Sequence, residues 1–144
     1  MQNSFFQKTD LIQIETSPYS FHMITSKLDF WLREIGASEG LLTLLVKHTS
    51  ASLTIQENAD PTVRDDLLTI LNELAPETRD YRHNMEGPDD MPAHIKTMLT
   101  NTTLSIPVVD GKMDLGTWQG VYLIEHRAHR MNRSIRLFFA GTDA

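Results

Sequence analysis

Residues 41–61, LLTLLVKHTSASLTIQENADP, hold a strand, a polar corner, a second strand and a helix start in one stretch. Leu41 to Val46 is a short apolar run bounded by Gly40 and by His48-Thr49-Ser50. Such a run between turn signals reads as a strand covered on both faces. Ser52 to Gln56 alternates as a second strand. Asp60-Pro61 then starts a helix: the aspartate accepts from free backbone N–H groups, and proline at the first helical position gives up no needed donor. Val63, Leu67, Leu68, Leu71 and Leu74 follow at helical spacing, and Pro76 ends the run.

Upstream, residues 5–15 read as one or two edge-type strands. Ser20 or Thr25 caps a helix running to about Ile35, with Met23, Leu28, Trp31, Leu32 and Ile35 as its apolar stripe and Gly36 suited to its C-terminal turn. Downstream, residues 77–92 (ETRDYRHNMEGPDDMP) are too long and too charged for a tight turn, and loops of that kind often carry function. A short helix from about Pro92 to Leu99 precedes a strand at residues 103–108. Residues 109–112 read as a hairpin turn with Asp110-Gly111 at its tip. Two strands near 119–127 and 133–140 close the chain. Strands and helices do not alternate singly, which favours an α+β fold with a largely antiparallel sheet and two to three helices, in one domain over residues 1–144.

Thirteen basic and nineteen acidic residues give a net charge of -6, and no run of Lys and Arg tracks a phosphate backbone, so nucleic acid is not an expected partner. Without cysteine, disulfides, thiolate metal sites and cysteine nucleophiles drop out, and any metal falls to His, Asp or Glu. Neither a signal-peptide pattern nor a spanning apolar stretch occurs, so a cytoplasmic protein without membrane partners is expected. Walker, dinucleotide, GxSxG and kinase signatures are also missing.

Candidate chemistry gathers on His48, His83 and His94, each near carboxylates: Glu57 and Asp60, then Glu86, then Asp89 and Asp90. Imidazole and carboxylate together suit a divalent metal or shared acid–base work. None of these pairs has HExxH or His-x-His spacing, so spacing leaves separate surface or core histidines as the alternative. His22, His126 and His129 read as solvated surface residues. Thr49 and Ser50 can donate to a phosphate, or to their own backbone at a turn. Glu57 and Asn58 stand at a strand end beside a helix N-terminus, while Asp65 and Asp66 suit the helix dipole. In LGTWQG, Gly116 and Gly120 suggest a bulge or a close approach, and Trp118 suits core, a subunit contact or a stacking surface.

Taken together, HTSASLTIQENADPTVRDDL, YRHNMEG, PAHIK, SIPV and GKMDLGTWQGVYLIEHR resemble, in order and through nearly the whole chain, the YjbQ family of secondary thiamine-phosphate synthases. The resemblance implies a mainly antiparallel β-sandwich of α+β class, assembled as a homotrimer with sites near subunit interfaces. It covers His48, Thr49, Ser50, Glu57, Asn58, Asp60, Asp66, His83, Glu86, Pro92, His94, Gly116, Trp118 and Gln119. The family often has an acidic residue where Pro88 stands and an asparagine where Asp90 stands, so Asp90 is left out of the expected site.

The implied reaction joins hydroxymethylpyrimidine pyrophosphate to thiazole phosphate with release of pyrophosphate. In that reading His48, Glu57 and Asp66 are catalytic; Thr49, Ser50, Asn58, Trp118 and Gln119 bind substrate; and His48, His83 and His94 hold a divalent metal. The metal is zinc, or magnesium with pyrophosphate, and no organic cofactor is expected. One alternative is a metal-dependent hydrolase or lyase on a small phosphorylated metabolite, with Glu57 as base. Another is a non-catalytic trimer that holds a metal or an anion in the same pocket.

Overall fold

In the computed structural model, which describes residues 3–144, buried and more exposed side chains alternate along residues 41–46, 103–109 and 132–141. The chain runs through β1 (Phe5–Glu15), β2 (Ser20–Met23), α1 (Thr25–Glu34), β3 (Ala37–Val46), β4 (Ala51–Glu57), α2 (Pro61–Leu74), α3 (Asp90–Leu99), β5 (Thr103–Val109), β6 (Lys112–Met113), β7 (Gln119–Glu125) and β8 (Asn132–Asp143). The class is α+β: three helices with a five-stranded sheet ordered β1-β8-β3-β5-β6 and a three-stranded sheet ordered β2-β7-β4. Every strand pairing is antiparallel. Residues 5–15 form one continuous strand, paired with β8 from Phe5↔Thr142 to Glu15↔Asn132.

The reading of Leu41–Val46 as covered on both faces is corrected. Leu42, Leu44 and Val46 are buried, but Leu41 and Leu45 are 43% and 42% exposed. An antiparallel sheet need cover only one face within the chain, and this outer face of β3 is partly open. Next to it, Gly40 pairs with Gly141, where an added Cβ would meet opposing backbone and the Phe139 ring within 2.8 Å; the close approach admits only glycine.

One apolar cluster joins the sheets. Leu42, Leu44, Ile106, Ile135, Leu137 and Phe139 come from the larger, Leu53, Val121 and Leu123 from the smaller, and Leu28, Trp31 and Leu32 from α1. Each such buried aliphatic or Phe side chain contributes about 1.5–3 kcal/mol relative to exposure. Thr25 is the first residue of α1, and its hydroxyl accepts from Val121 N–H at 2.9 Å, fixing the helix to β7; Ser20 and Met23 belong to β2 instead.

The outer face of the smaller sheet lies under α2 and α3. Arg64 Nη1 donates to the Tyr122 hydroxyl at 3.0 Å, and Thr100 Oγ1 donates to Ser52 Oγ at 2.6 Å. Asp60 caps α2 as expected, accepting from Thr62 N–H at 3.0 Å. No residue of α2 is buried, however, and Ile70 and Leu74 are 50% and 62% exposed. Among the described residues no helix is long and apolar enough to cross a membrane.

Register sets where chemistry can gather. Val46 pairs with Ile135, and Ala51 pairs with Glu125, so the β3–β4 corner holding His48-Thr49-Ser50 lies beside the β7–β8 corner holding residues 126–131. The N-terminus of α3 meets both, through His94 to Thr49 and through Asp89 to Arg127.

Candidate functional site

A buried ion pair fixes the corner from inside. Glu125 accepts from Arg133 Nε at 2.8 Å, from Thr16 Oγ1 at 2.6 Å and from Arg127 N–H at 3.0 Å. Burial opposes the charge on Glu125, but those bonds and the Arg133 guanidinium hold its carboxyl below the usual range. Arg133 Nη2 also donates to the Ser50 carbonyl at 3.1 Å and to Ser50 Oγ at 2.9 Å. Ser50 is therefore buried and committed to the scaffold rather than turned to a ligand.

A second buried cluster fixes the start of α3. Asp89 sits at the cap position, yet its carboxylate makes no cap bond. It accepts instead from Arg127 Nε at 2.7 Å and from Ala128 N–H at 2.8 Å. Burial works against that charge, and the two donors with the Arg127 cation more than offset it, keeping Asp89 below its ordinary pKa. Gly87, at φ +104, makes the turn into this cluster, where a Cβ would press on Asp89 Oδ1 at 3.1 Å.

Beside Asp89, the buried Asp90 points Oδ2 outward to two imidazoles: His83 Nε2 at 2.8 Å and His94 Nε2 at 3.3 Å. One ligand atom from each of the three residues lies within 4.8 Å of the others. His94 Nδ1 is 2.9 Å from the Thr49 carbonyl, which can only accept, so Nδ1 carries hydrogen and Nε2 of the neutral ring presents a lone pair to the carboxylate. Two lone pairs at that distance need a cation between them, either a proton or a metal ion. The backbone bond to a ligating histidine is also the usual outer partner of a metal site. Two imidazoles and a carboxylate, with His83 53% exposed, make a set open on one side.

The expected residues divide. His83 and His94 come together, and Thr49 joins them through its carbonyl. His48 stands outside the group: its Nε2 accepts from Ser134 N–H at 2.8 Å, which leaves no lone pair on that nitrogen for an ion. Burial first, and the Arg133 charge second, keep His48 below its ordinary pKa.

Glu57, Asn58, Trp118 and Gln119 lie at the opposite end of β4 and β7, where Glu57 pairs with Gln119. The seven-residue β4 puts about 20 Å between the two ends. At that far end Glu57 accepts from Asp60 N–H, Gln119 Oε1 accepts from Gly116 N–H, and Trp118 is 64% exposed. Asp66 is exposed on α2.

Asp90, left out of the expected site, is its centre. The helix begins at Asp90 rather than Pro92, which makes Asp90 and His94 an i,i+4 pair on one helix face. His126, expected in solvent, is buried: Nε2 lies 2.8 Å from Ser52 Oγ, and burial pushes its pKa down to about 3.

With this geometry, the likeness to other proteins is consistent along the chain. A sequence profile described as UPF0047 protein YjbQ-like matches residues 10–142. A UPF0047 protein of Synechocystis sp. is 47% identical over 139 residues, 96% of this chain and 95% of that protein. The UPF0047 protein YjbQ of Salmonella typhimurium is 45% identical over 91% of this chain and 94% of its own length. Among solved structures, an uncharacterized yjbq/upf0047-family protein of Clostridium acetobutylicum is 35% identical with a TM-score of 0.81, covering 92% of this chain and 98% of that one. A YbjQ-like protein of unknown function from Sulfolobus solfataricus P2 shares the fold at a TM-score of 0.84 and 24% identity, over 94% of this chain and 99% of that one. These names state a family and no activity.

Proposed function

Since the chain belongs to the YjbQ-like UPF0047 family, we propose that His83, Asp90 and His94 form a divalent-metal centre for chemistry on a small phosphorylated metabolite, the specific reaction being thiamine-phosphate synthesis with release of pyrophosphate. The observation that supports this most is the pair of imidazole nitrogens facing one buried carboxylate oxygen. A bound ion would neutralise phosphate oxygens and act as a Lewis acid. Two nitrogens and one oxygen suit zinc better than magnesium, which prefers oxygen ligands.

The chain's own residues then have distinct tasks. Asp90 Oδ2 and the two Nε2 atoms hold the ion, and the Thr49 carbonyl holds the His94 ring in the tautomer that frees Nε2. Trp118 offers an exposed platform for a flat heterocycle, with Gln119, Asn58 and Glu57 beside it. One chain keeps these groups about 20 Å from the imidazoles. The proposal therefore includes a homotrimer in which the far end of one copy completes the metal end of the next. Exposed Ile70, Leu74, Met98 and Leu99 on α2 and α3 offer apolar surface for that contact.

The test is rescue of a thiamine-requiring strain that lacks its main thiamine-phosphate synthase, at ordinary expression, paired with direct assay of the zinc-loaded protein. Wild type should rescue and the Asp90→Ala, His94→Ala double variant should not; equal rescue by both sinks the assignment. Sedimentation equilibrium checks the assembly, with three times the chain mass expected. Hydrolysis of a phosphate ester is a second reading, favoured by the exposure of His83, which leaves water access to the ligand set. Turnover of phosphate esters without the synthase reaction would select it.

A further inference from the structure

Among the described residues, Arg127 is the one cation whose guanidinium meets both buried carboxylates beside the ligand set. Nε donates to Asp89 Oδ2 at 2.7 Å, Nη1 lies 3.1 Å from Asp90 Oδ1, and Nη2 donates to the Glu86 carbonyl at 3.0 Å. Each of its three nitrogens thus has an internal partner, and the planar fork is oriented by two carboxylates and a carbonyl. His129 completes the surroundings, with Nε2 3.8 Å from Asp89 Oδ1.

The consequence falls on Asp90. One oxygen faces the imidazoles and the other is held by Arg127. A carboxylate so divided offers an ion one free oxygen, and two-oxygen ligation would have to share Oδ1 with the guanidinium. Calcium commonly takes bidentate carboxylates in shells of six to eight oxygens, magnesium seeks six oxygens, and manganese also leans toward oxygen-rich shells. Two imidazoles and a single oxygen leave a three-ligand set whose fourth position is open, as zinc-class ions accept.

We propose that Arg127 is a positioning residue that selects the class of ion: by occupying Asp90 Oδ1 it restricts Asp90 to one-oxygen ligation and biases the site toward four-coordinate, zinc-class ions over oxygen-seeking ones. This rests on the metal reading of His83, Asp90 and His94 above, and adds the origin of its selectivity.

The experiment measures zinc and manganese affinities of chelator-stripped full-length protein by competition with a chromophoric chelator, for wild type, Arg127→Gln and Arg127→Lys. In Arg127→Gln, Oδ1 is released, and the zinc-to-manganese affinity ratio should fall at least about tenfold, the scale on which outer partners tune metal sites. Arg127→Lys keeps the charge without the fork, and its ratio should fall as well. A purely electrostatic role would raise both affinities together in Arg127→Gln and leave Arg127→Lys like wild type. A purely structural role would lower both together. Either result, with the ratio unchanged, overturns the proposal.

Co2+ in the wild type tests the coordination the proposal requires: the intense visible band of a four-coordinate ion is expected, and the weak bands of a six-coordinate one would overturn it even should both variants fail to fold. Wild type that binds neither zinc nor cobalt would overturn the metal reading itself, a distinct outcome from binding with an unchanged ratio.

Discussion

The two ends of the β4–β7 pair hold similar polar residue types but are built differently. At the Ala51–Glu125 end, carboxylates are buried and each is answered by an arginine: Arg133 for Glu125, and Arg127 for Asp89 and Asp90. Two histidine nitrogens there remain turned to one exposed side. At the Glu57–Gln119 end the polar groups serve the local turn and helix start, and Trp118 stands in solvent. A pocket prepared by buried charge differs from a surface that gains meaning only against something else. Only the first kind can be read from one chain.

The largest test of that contrast is the buried pair. Arg133→Met leaves Glu125 buried without its countercharge, held only by Thr16 and the Arg127 N–H, and unfolding free energy should drop by about 3–5 kcal/mol in urea denaturation. Trp118→Ala, at the far end, should stay within about 0.5 kcal/mol of wild type. Similar losses from both would mean that the ends are not built differently. The next effect is on metal binding. Asp90→Ala should weaken zinc affinity about 100-fold or more, while Trp118→Ala leaves it unchanged, as chelator competition would read.

Protonation offers a third probe of the near end. The buried His126 has a folded-state pKa of about 3, against an ordinary 6.5 in the unfolded chain. As pH falls through 6.5 the unfolded chain takes up the proton and the folded one does not, so stability is full above pH 6.5 and is lost on acidification. From pH 6.5 to pH 5 the loss from this group is about 1–2 kcal/mol. His22 and His48, also held below their ordinary pKa by burial, add to it in the same direction. Urea unfolding of His126→Gln across that range should show a slope shallower by nearly one proton; an unchanged slope would mean that His126 titrates freely.

Much of this was legible in the sequence, and the misses have physical causes. Alternation and the Asp60-Pro61 start gave strands and α2 in their places, because those signals are local. The run LLTLLV is apolar on both faces, so it could not say that only one face is covered within the chain. Placing Pro92 at the first helical position moved the start of α3 by two residues and hid the Asp90–His94 pair, although an Asp-x-x-x-His spacing was there to be seen. His126 lies in a polar run, HRAHR, yet its ring is turned in beneath α3 toward Ser52. Burial of that kind is decided by the packing of distant elements.

The smallest effect asks whether the exposed end belongs to the same site as the buried one. If one copy supplies His94 and its neighbour supplies Trp118, then His94→Ala and Trp118→Ala chains, each inactive alone, should complement when mixed. With one metal end and one neighbouring far end per site, random equal mixing leaves about a quarter of sites with both halves intact, and about a quarter of wild-type turnover should return. Refolding the variants together against refolding them apart measures this directly. If both halves act from one chain, every site in the mixture carries a lesion and no activity returns, which would separate the far end's role from any neighbour.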